Sequence, residues 1–214
     1  VVPFRAPIVG RVAASPGGPG AIANKAYVGD AEGFLWRLDF TAKNPSGWSG
    51  QLFFDAFPRE NGFPGNALKS YTWSDGQPIE TPLVLSVDQL GRTTINFSTG
   101  DQREMSSTGD NFVWSLTEHR KGLVPKAKIN WFLGPDNHGV TTLPGAFSKG
   151  HRVTGPMVLF DGRLYFTSYQ QAASSSTDMC GVGKSYLWGV NYVKAGLTGG
   201  STDSGLPYQG PMPA

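Results

Sequence analysis

Hydrophobic and polar residues alternate along much of this chain, and a period of two predicts β-strands rather than helices. The clearest alternation covers residues 34–40, FLWRLDF, where the even-numbered positions are Phe, Trp, Leu and Phe. This pattern predicts a strand with one apolar face against a core and with Arg37 and Asp39 on the opposite face. Eleven such runs are separated by clusters of Gly, Pro, Asn, Asp and Ser. They span residues 7–13, 25–29, 34–40, 51–55, 80–87, 92–98, 112–117, 127–133, 151–159, 163–169 and 185–193.

Residues 27–40, YVGDAEGFLWRLDF, predict a β-hairpin, because a strand pattern stands on each side of a short turn that contains Gly and Asp. An Asp in such a turn usually accepts hydrogen bonds from nearby backbone N–H groups, so we expect Asp30 to form the turn. We expect Trp36 to anchor the packing of the second strand. The predicted structural motif consists of Gly29, Asp30, Gly33, Trp36, Arg37 and Asp39.

Two later parts of the chain weakly resemble the hairpin, which indicates a repeated β-sheet unit. Residues 92–100 with 111–119, and residues 162–169 with 184–192, each combine one strand with a second strand that contains Trp. At four strands per blade, eleven strands make roughly three blades of a β-propeller, too few to close a ring. We therefore predict an all-β, β-propeller-like domain of about three to four blades over residues 1–214. It would be part of a larger propeller and a fragment of a longer chain.

The composition fits a folded, strand-rich domain. The 214 residues are 39% hydrophobic and 12% aromatic, enough for a sizeable core, and the 29 Gly and 16 Pro suit many short strands joined by turns. No segment has a convincing helical period, and residues 67–72 and 141–148 predict a helical turn at most. The net charge of +2 is spread along the chain and does not favour nucleic-acid binding. No apolar run approaches the roughly 20 residues that span a bilayer.

The residues that carry chemistry form no recognisable catalytic or metal motif. The single cysteine, Cys180, excludes an internal disulfide and a Cys-based zinc site within this chain. The three histidines lack metal-ligand spacing, and we expect surface turn positions for them: His119, His138 and His151. Acidic residues near turns could together hold a cation, but hydrogen bonding within their own turns explains them better. They are Asp30, Glu32, Asp101, Glu104 and Asp110. We therefore predict no catalytic residue, no metal site and no cofactor.

The six tryptophans divide into two groups by their surroundings in the sequence. Four lie inside predicted strands, where we expect them to pack between sheets: Trp36, Trp114, Trp131 and Trp188. Trp48 and Trp73 lie in predicted loops beside Ser, Gly and Asp. Exposed loop aromatics are suited to contacts with proteins or glycans, so Trp48 and Trp73 are the candidate binding residues, although plain packing is the interpretation that we favour for them.

Four segments follow one another in an order that has a counterpart in a known family. They are residues 26–40, AYVGDAEGFLWRLDF; residues 77–101, QPIETPLVLSVDQLGRTTINFSTGD; residues 110–116, DNFVWSL; and residues 150–170, GHRVTGPMVLFDGRLYFTSYQ, followed by Cys180 and residues 184–192, KSYLWGVNY. In this order they resemble the C-terminal β-propeller of the PilY-type type IV pilus proteins, a family of pilus-tip adhesins and pilus-assembly factors.

The resemblance implies a non-enzymatic protein of the cell surface and the pilus tip, exported through the periplasm and the outer membrane. Such a protein would act in pilus assembly, tip adhesion and twitching motility through protein binding by its loops. The implied partners are minor pilins or other pilus-tip proteins, the remaining part of its own propeller, and a host or neighbouring cell surface. We expect residues 41–50, 57–76 and 134–150 to be the binding loops.

The chain departs from the family pattern just before the first hairpin. Family members often carry a calcium loop there, whereas residues 15–25 here, SPGGPGAIANK, contain no carboxylate. Calcium needs six to eight oxygen ligands, several of them charged, so we expect no calcium at this loop. Two other functions share the strand pattern: a fragment of a quinoprotein-like propeller dehydrogenase and a secreted carbohydrate-binding propeller. The first needs a vicinal cysteine pair or calcium carboxylates, and Cys180 stands alone.

Overall fold

The computed structural model describes residues 4–16, 20–57, 71–105, 107, 109–122, 124–135, 147, 149–171 and 183–193. These residues contain twelve β-strands, two short 3₁₀ helices and no α-helix. The strands are β1 (Ala13–Pro16), β2 (Ala23–Gly29), β3 (Phe34–Asp39), β4 (Ser49–Asp55), β5 (Val84–Val87), β6 (Thr93–Ser98), β7 (Val113–Lys121), β8 (Val124–Leu133), β9 (His151–Val153), β10 (Val158–Phe160), β11 (Arg163–Gln170) and β12 (Lys184–Asn191). The 3₁₀ helices are Pro45–Gly47 and Trp73–Asp75.

The strands form three antiparallel sheets of four strands each, in the order in which they occur along the chain. Sheet A has the order β1-β2-β3-β4 and sheet B has the order β5-β6-β7-β8. In sheet C, β11 pairs with β12 on one side and with both β9 and β10 on the other. Sequential neighbours pair because short turns favour antiparallel hairpins.

Sheet B lies between sheets A and C, and a separate core fills each interface. The larger core joins side chains of sheets A and B, including Tyr27, Leu35, Trp114 and Leu116. The second core joins sheet B to sheet C and is built from residues such as Val113, Trp131, Phe166 and Trp188. The edge strands align across the first interface, since β1 contacts β5 and β4 contacts β8.

Because sheet B is covered on both faces, its inner strand β6 loses the exposed polar face that a strand of an outer sheet retains. All six residues of β6, TTINFS, are buried. Of its polar side chains, the Ser98 hydroxyl lies 2.8 Å from that of Thr81, whereas the side chains of Thr94 and Asn96 are buried without a hydrogen-bond partner among the described residues. The Ser115 hydroxyl donates to the Tyr192 carbonyl across the interface with sheet C at 2.5 Å.

Most predicted strands are confirmed, but three are wrong in detail. The strand predicted at residues 80–87 begins only at Val84. The strand predicted at residues 7–13 is absent, and β1 begins only at Ala13, although Ile8 forms an isolated bridge with Asp30. The strand predicted at residues 151–159 is interrupted, because Gly155 and Pro156 separate β9 from β10 and Pro lacks the N–H that a ladder needs. The helical turns predicted at residues 67–72 and 141–148 fall mostly outside the described residues, as does Cys180.

The predicted apolar and polar faces of residues 34–40 also require correction. The face that carries Leu35 and Arg37 points into the main core, and both side chains are buried. Phe34 and Trp36 form a small separate cluster with Val28 on the outer face of sheet A. The prediction failed because an edge sheet in a stack can be covered on both faces, so alternation alone does not identify the inner face.

No helix of the described residues is long and apolar enough to cross a membrane.

Candidate functional site

Asp30 is fully buried and organises the turn between β2 and β3. Its Oδ1 accepts hydrogen bonds of 2.9 Å from the backbone N–H groups of Glu32 and Phe34. Its Oδ2 accepts the indole Nε1–H of Trp36, also at 2.9 Å. Both carboxylate oxygens are therefore occupied within the hairpin, and Asp30 fixes the turn and the orientation of the Trp36 ring together.

Gly29 and Gly33 flank this turn at positions where a side chain would collide. Gly33 has a φ of +84°, and a Cβ atom there would lie 2.7 Å from the Phe57 ring. A Cβ atom at Gly29 would lie 2.3 Å from the Cβ of Ile79. The Ile79 N–H donates to the Asp30 carbonyl at 3.1 Å, so the segment that leads into sheet B packs directly on the hairpin turn.

A charged network crosses the interface between sheets A and B near the opposite end of the hairpin. Arg37 donates through Nε to Glu118 Oε2 at 3.2 Å and through Nη1 to Asp39 Oδ2 at 2.9 Å. Glu118 also accepts the hydroxyl of Tyr27 and pairs with Lys25 Nζ at 3.4 Å. The Arg37 and Glu118 side chains are only 4% and 7% exposed, so an unpaired member would be a buried charge.

The pairing keeps these groups ionised in spite of their burial. Burial alone would raise the pKa of Glu118, but the hydrogen bond from Tyr27 and the two neighbouring cations lower it below its usual value. Burial alone would also raise the pKa of Asp39, whereas hydrogen bonds from Thr41 and Arg37 lower it to about 2. Burial and the Glu118 carboxylate together raise the pKa of Tyr27, so its hydroxyl remains a neutral donor.

Glu118 and Tyr27 were not identified as site residues from the sequence. Glu118 follows Trp114 and Leu116 at two-residue intervals on the face of β7 that points toward sheet A. Its signal is an acidic residue that continues an otherwise apolar row. The sequence could not indicate its partner, because Arg37 is 81 positions away and the pairing depends on how the two sheets stack.

The two candidate binding tryptophans are exposed but lie far apart. Trp48 is 49% exposed, packs edge-on against Phe40 at 5.1 Å and donates its Nε1–H to the Ala42 carbonyl. Trp73 is 57% exposed and contacts Phe34 at a ring distance of 5.9 Å. Phe34 and Phe40 lie at opposite ends of β3, roughly 20 Å apart along the strand. Trp48 and Trp73 therefore belong to two separate surfaces.

Arg152 is a buried side chain that sequence reasoning missed. It is 1% exposed, and its guanidinium donates to the backbone carbonyls of three residues in the loop between β6 and β7. The acceptors are Asp101 at 2.7 Å, Ser107 at 2.7 Å and Glu104. Five N–H donors in a rigid fork allow one arginine to hold several carbonyls at once. Sheet C thus clamps a loop of sheet B.

The prediction that the histidines occupy surface turns is wrong for two of them. His119 lies in β7, and His151 lies in β9 with 1% of its surface exposed. His151 packs against the rings of Phe147, Tyr186 and Trp188. This burial lowers the pKa of His151, and the contact with Gln170 offsets the decrease only partly. His138 falls outside the described residues.

Among the residues that the structure describes, no group of three or more His, Cys, Asp or Glu side chains could hold a metal ion. Two of the acidic residues near turns accept hydrogen bonds within their own turns. They are Asp30 and Asp101, which accepts the backbone N–H of Arg103 at 2.7 Å. Asp110 instead accepts the hydroxyl of the distant Tyr71 at 3.4 Å.

Comparison with known proteins reveals a distant structural likeness. No family model matches the sequence, and no curated protein matches it. The fold is similar to the crystal structure of the Pseudomonas aeruginosa PilY1 C-terminal domain, with a TM-score of 0.53 and 11% sequence identity. The match covers 87% of this chain and 47% of that structure, so the chain spans about half the length of the solved domain. At this identity the likeness is one of fold.

Proposed function

We propose that the three sheets are consecutive blades of a β-propeller and that the chain contributes part of a larger ring. The support is the arrangement of four-stranded antiparallel sheets, which follow chain order and stack face to face. Further blades would pack against the outer faces of sheets A and C. The outer face of sheet C exposes Val158, Phe160 and Leu187, as expected of a surface that another sheet covers.

We further propose that the protein is a non-enzymatic component of the type IV pilus. The observation that carries this proposal is the likeness over 87% of the chain to the PilY1 C-terminal domain. The proposed role is the one that the sequence resemblance implies: pilus assembly, tip adhesion and twitching motility at the cell surface, reached by export through the periplasm and the outer membrane. The partners would be minor pilins or other pilus-tip proteins, together with a host or neighbouring cell surface.

The proposed contacts lie on loops held by rigid sheets. Residues 41–50 contain the 3₁₀ helix Pro45–Gly47 and the exposed Trp48 ring, while Trp73 starts the second 3₁₀ helix. Much of the proposed loops 57–76 and 134–150 falls outside the described residues. Because Trp48 and Trp73 lie at opposite ends of β3, we expect them to contact different partners or distant parts of one partner.

The test is binding of the purified protein to purified minor pilins of the same organism, measured by surface plasmon resonance. We expect Trp48→Ala or Trp73→Ala to weaken binding by tenfold or more, the usual effect of truncating an aromatic hot spot. Leu90→Ala is the matched control, because Leu90 is 75% exposed in the β5–β6 turn and belongs to neither loop. Absence of binding to every minor pilin and other tip protein would overturn the proposal.

A carbohydrate-binding role is the second candidate, favoured by the exposure of the same two aromatic rings. Sugar rings stack on exposed indole faces, so a glycan array would give a defined set of ligands. Loss of glycan binding in the Trp48→Ala or Trp73→Ala variant, with no binding to pilins, would favour this function over the first.

A further inference from the structure

A cleft of about 630 Å³ opens between sheets A and B beside the charged network. It lies where β3 and β7 end and where the β5–β6 turn begins, at the end of the sheets opposite to Asp30. Its volume falls in the usual range for small-molecule sites. The charged and apolar side chains that line it include Lys25, Arg37, Leu85, Val87, Glu118 and Arg120.

Positive charge is in excess on the wall of this cleft. Three cationic side chains and one carboxylate line it, and Asp39, which pairs with Arg37, does not remove the excess. Glu118 is already engaged by Tyr27, Arg37 and Lys25. Arg120, by contrast, is exposed and makes no side-chain hydrogen bond or ion pair with any residue in the described part of the chain.

The buried charged network gives the cleft a fixed base. Arg37 and Glu118 are nearly inaccessible to water, and each is fixed by at least two partners, so the base of the cleft is rigid. Lys25, whose side chain is 16% exposed, places its ammonium group on the same network. The apolar side chains of Leu85 and Val87 also line the cleft, on the same sheet as Glu118 and Arg120, and Val87 is 56% exposed.

We propose that this cleft binds a small organic carboxylate with an apolar tail. The carboxylate would accept hydrogen bonds from Arg120 and Lys25 at the mouth, where charge-assisted bonds are strongest. The tail would lie against Leu85 and Val87 and remove their exposed surface from water. Neither Trp48 nor Trp73 lines the cleft, although Thr41 of the loop 41–50 does, and the proposal does not depend on the proposed pilus function.

The test is an NMR titration of the ¹⁵N-labelled protein with butyrate, hexanoate and hexanamide at low ionic strength. We expect saturable shifts of amides around the cleft, such as those of Lys25, Thr41 and Val87. Each additional methylene that becomes fully buried should tighten binding by about fourfold. Hexanamide, which keeps the tail but lacks the charge, should bind about tenfold more weakly than hexanoate.

Two variants with the same change of charge separate the cleft from general electrostatics. Arg120→Gln removes the free cation at the mouth and should weaken hexanoate binding by about tenfold. Lys128→Gln is the control, because Lys128 is exposed on β8 and pairs with Thr117, on the face of sheet B opposite to Glu118. Both positions are exposed, so we expect the variants to fold as the wild type does, which thermal unfolding checks.

Several results would overturn the proposal. One is the absence of saturable shifts, and another is an equal loss of affinity in Arg120→Gln and Lys128→Gln. Sulfate that binds as tightly as hexanoate would show that the cleft selects charge without an apolar tail. Equal affinity for hexanamide and hexanoate would show that it selects the tail without the charge.

Discussion

At the scale of single residues, Asp30 shows how one carboxylate can define a whole turn. It accepts two backbone N–H groups and one indole N–H while fully buried. Substitution by Ala would leave three buried donors without an acceptor, and each such donor destabilises the folded state. An Asn side chain would retain one accepting oxygen, but its amide would oppose the donor of Trp36. The two substitutions should therefore have graded effects.

We predict that Asp30→Ala lowers the free energy of unfolding by about 2–4 kcal/mol and that Asp30→Asn lowers it by about 1–2 kcal/mol. Urea unfolding followed by tryptophan fluorescence measures both values. Asp161→Asn is the control, because Asp161 is exposed in the β10–β11 turn with a φ of +48°, which Asn tolerates. An Asp30→Ala variant as stable as the wild type would contradict the structural role.

The burial of His151 predicts how the free energy of unfolding depends on pH. Burial among aromatic rings lowers its pKa in the folded protein below the ordinary value of 6.5. As the pH falls below 6.5, the unfolded chain takes up a proton that the folded protein does not, so the free energy of unfolding decreases. The slope from this residue is at most about 1.4 kcal/mol per pH unit and vanishes below the folded pKa.

We expect His151→Phe to preserve the ring packing and to remove this slope. Free energies of unfolding at pH 7.5 and 5.5 should therefore differ less in the variant than in the wild type. Each protein is compared with itself at the two pH values. All other titrating groups contribute nearly equally to the change in both proteins, so their contributions cancel to first order. Equal differences in the two proteins would mean that His151 is protonated equally in the folded and unfolded states.

At the scale of elements, the loop between β6 and β7 depends on a side chain from β9. Arg152→Met would keep a long side chain but remove the donors to three backbone carbonyls. We predict that the loop opens more often and that trypsin cleaves after Arg103, whose side chain is 83% exposed, about tenfold faster. Arg163→Met is the control, since Arg163 is exposed on β11. Unchanged cleavage after Arg103 would mean that the clamp does not hold the loop.

The elements themselves were largely predictable, and their mutual contacts were not. Alternation and turn residues located most strands, because both signals are local in the chain. The break at Gly155 and Pro156 also has a local signal, because proline lacks the backbone N–H that a strand ladder needs. The contact of Arg37 with Glu118 and the burial of His151 depend on how sheets stack, which no local pattern encodes. The exposure of Trp48 and Trp73 has a local signal, because Trp48 follows Ser46 and Gly47, and Trp73 precedes Ser74, Asp75 and Gly76.

At the scale of the whole molecule, sheet B is the middle of the stack and sheets A and C are its ends. Sheets A and C pack against the two faces of sheet B, while the outer cluster of sheet A is partly covered by Phe4 and Trp73. The outer face of sheet C has no comparable cover from the described residues and exposes Phe160 at 72%. A ring of blades has no such ends, so a protein made of these residues alone should bury its exposed face by another route.

We therefore predict that the 214-residue protein associates with itself reversibly through the outer face of sheet C. Sedimentation velocity over a range of concentrations should show dimers or larger species whose share increases with protein concentration, because association removes the apolar patch from water. Phe160→Lys should weaken association by tenfold or more, because association would bury an unpaired charge. Leu90→Lys is the matched control, since Leu90 is 75% exposed in the β5–β6 turn and lies outside the face. A wild-type protein that remains monomeric at these concentrations would mean that sheet C needs no further blade to cover it.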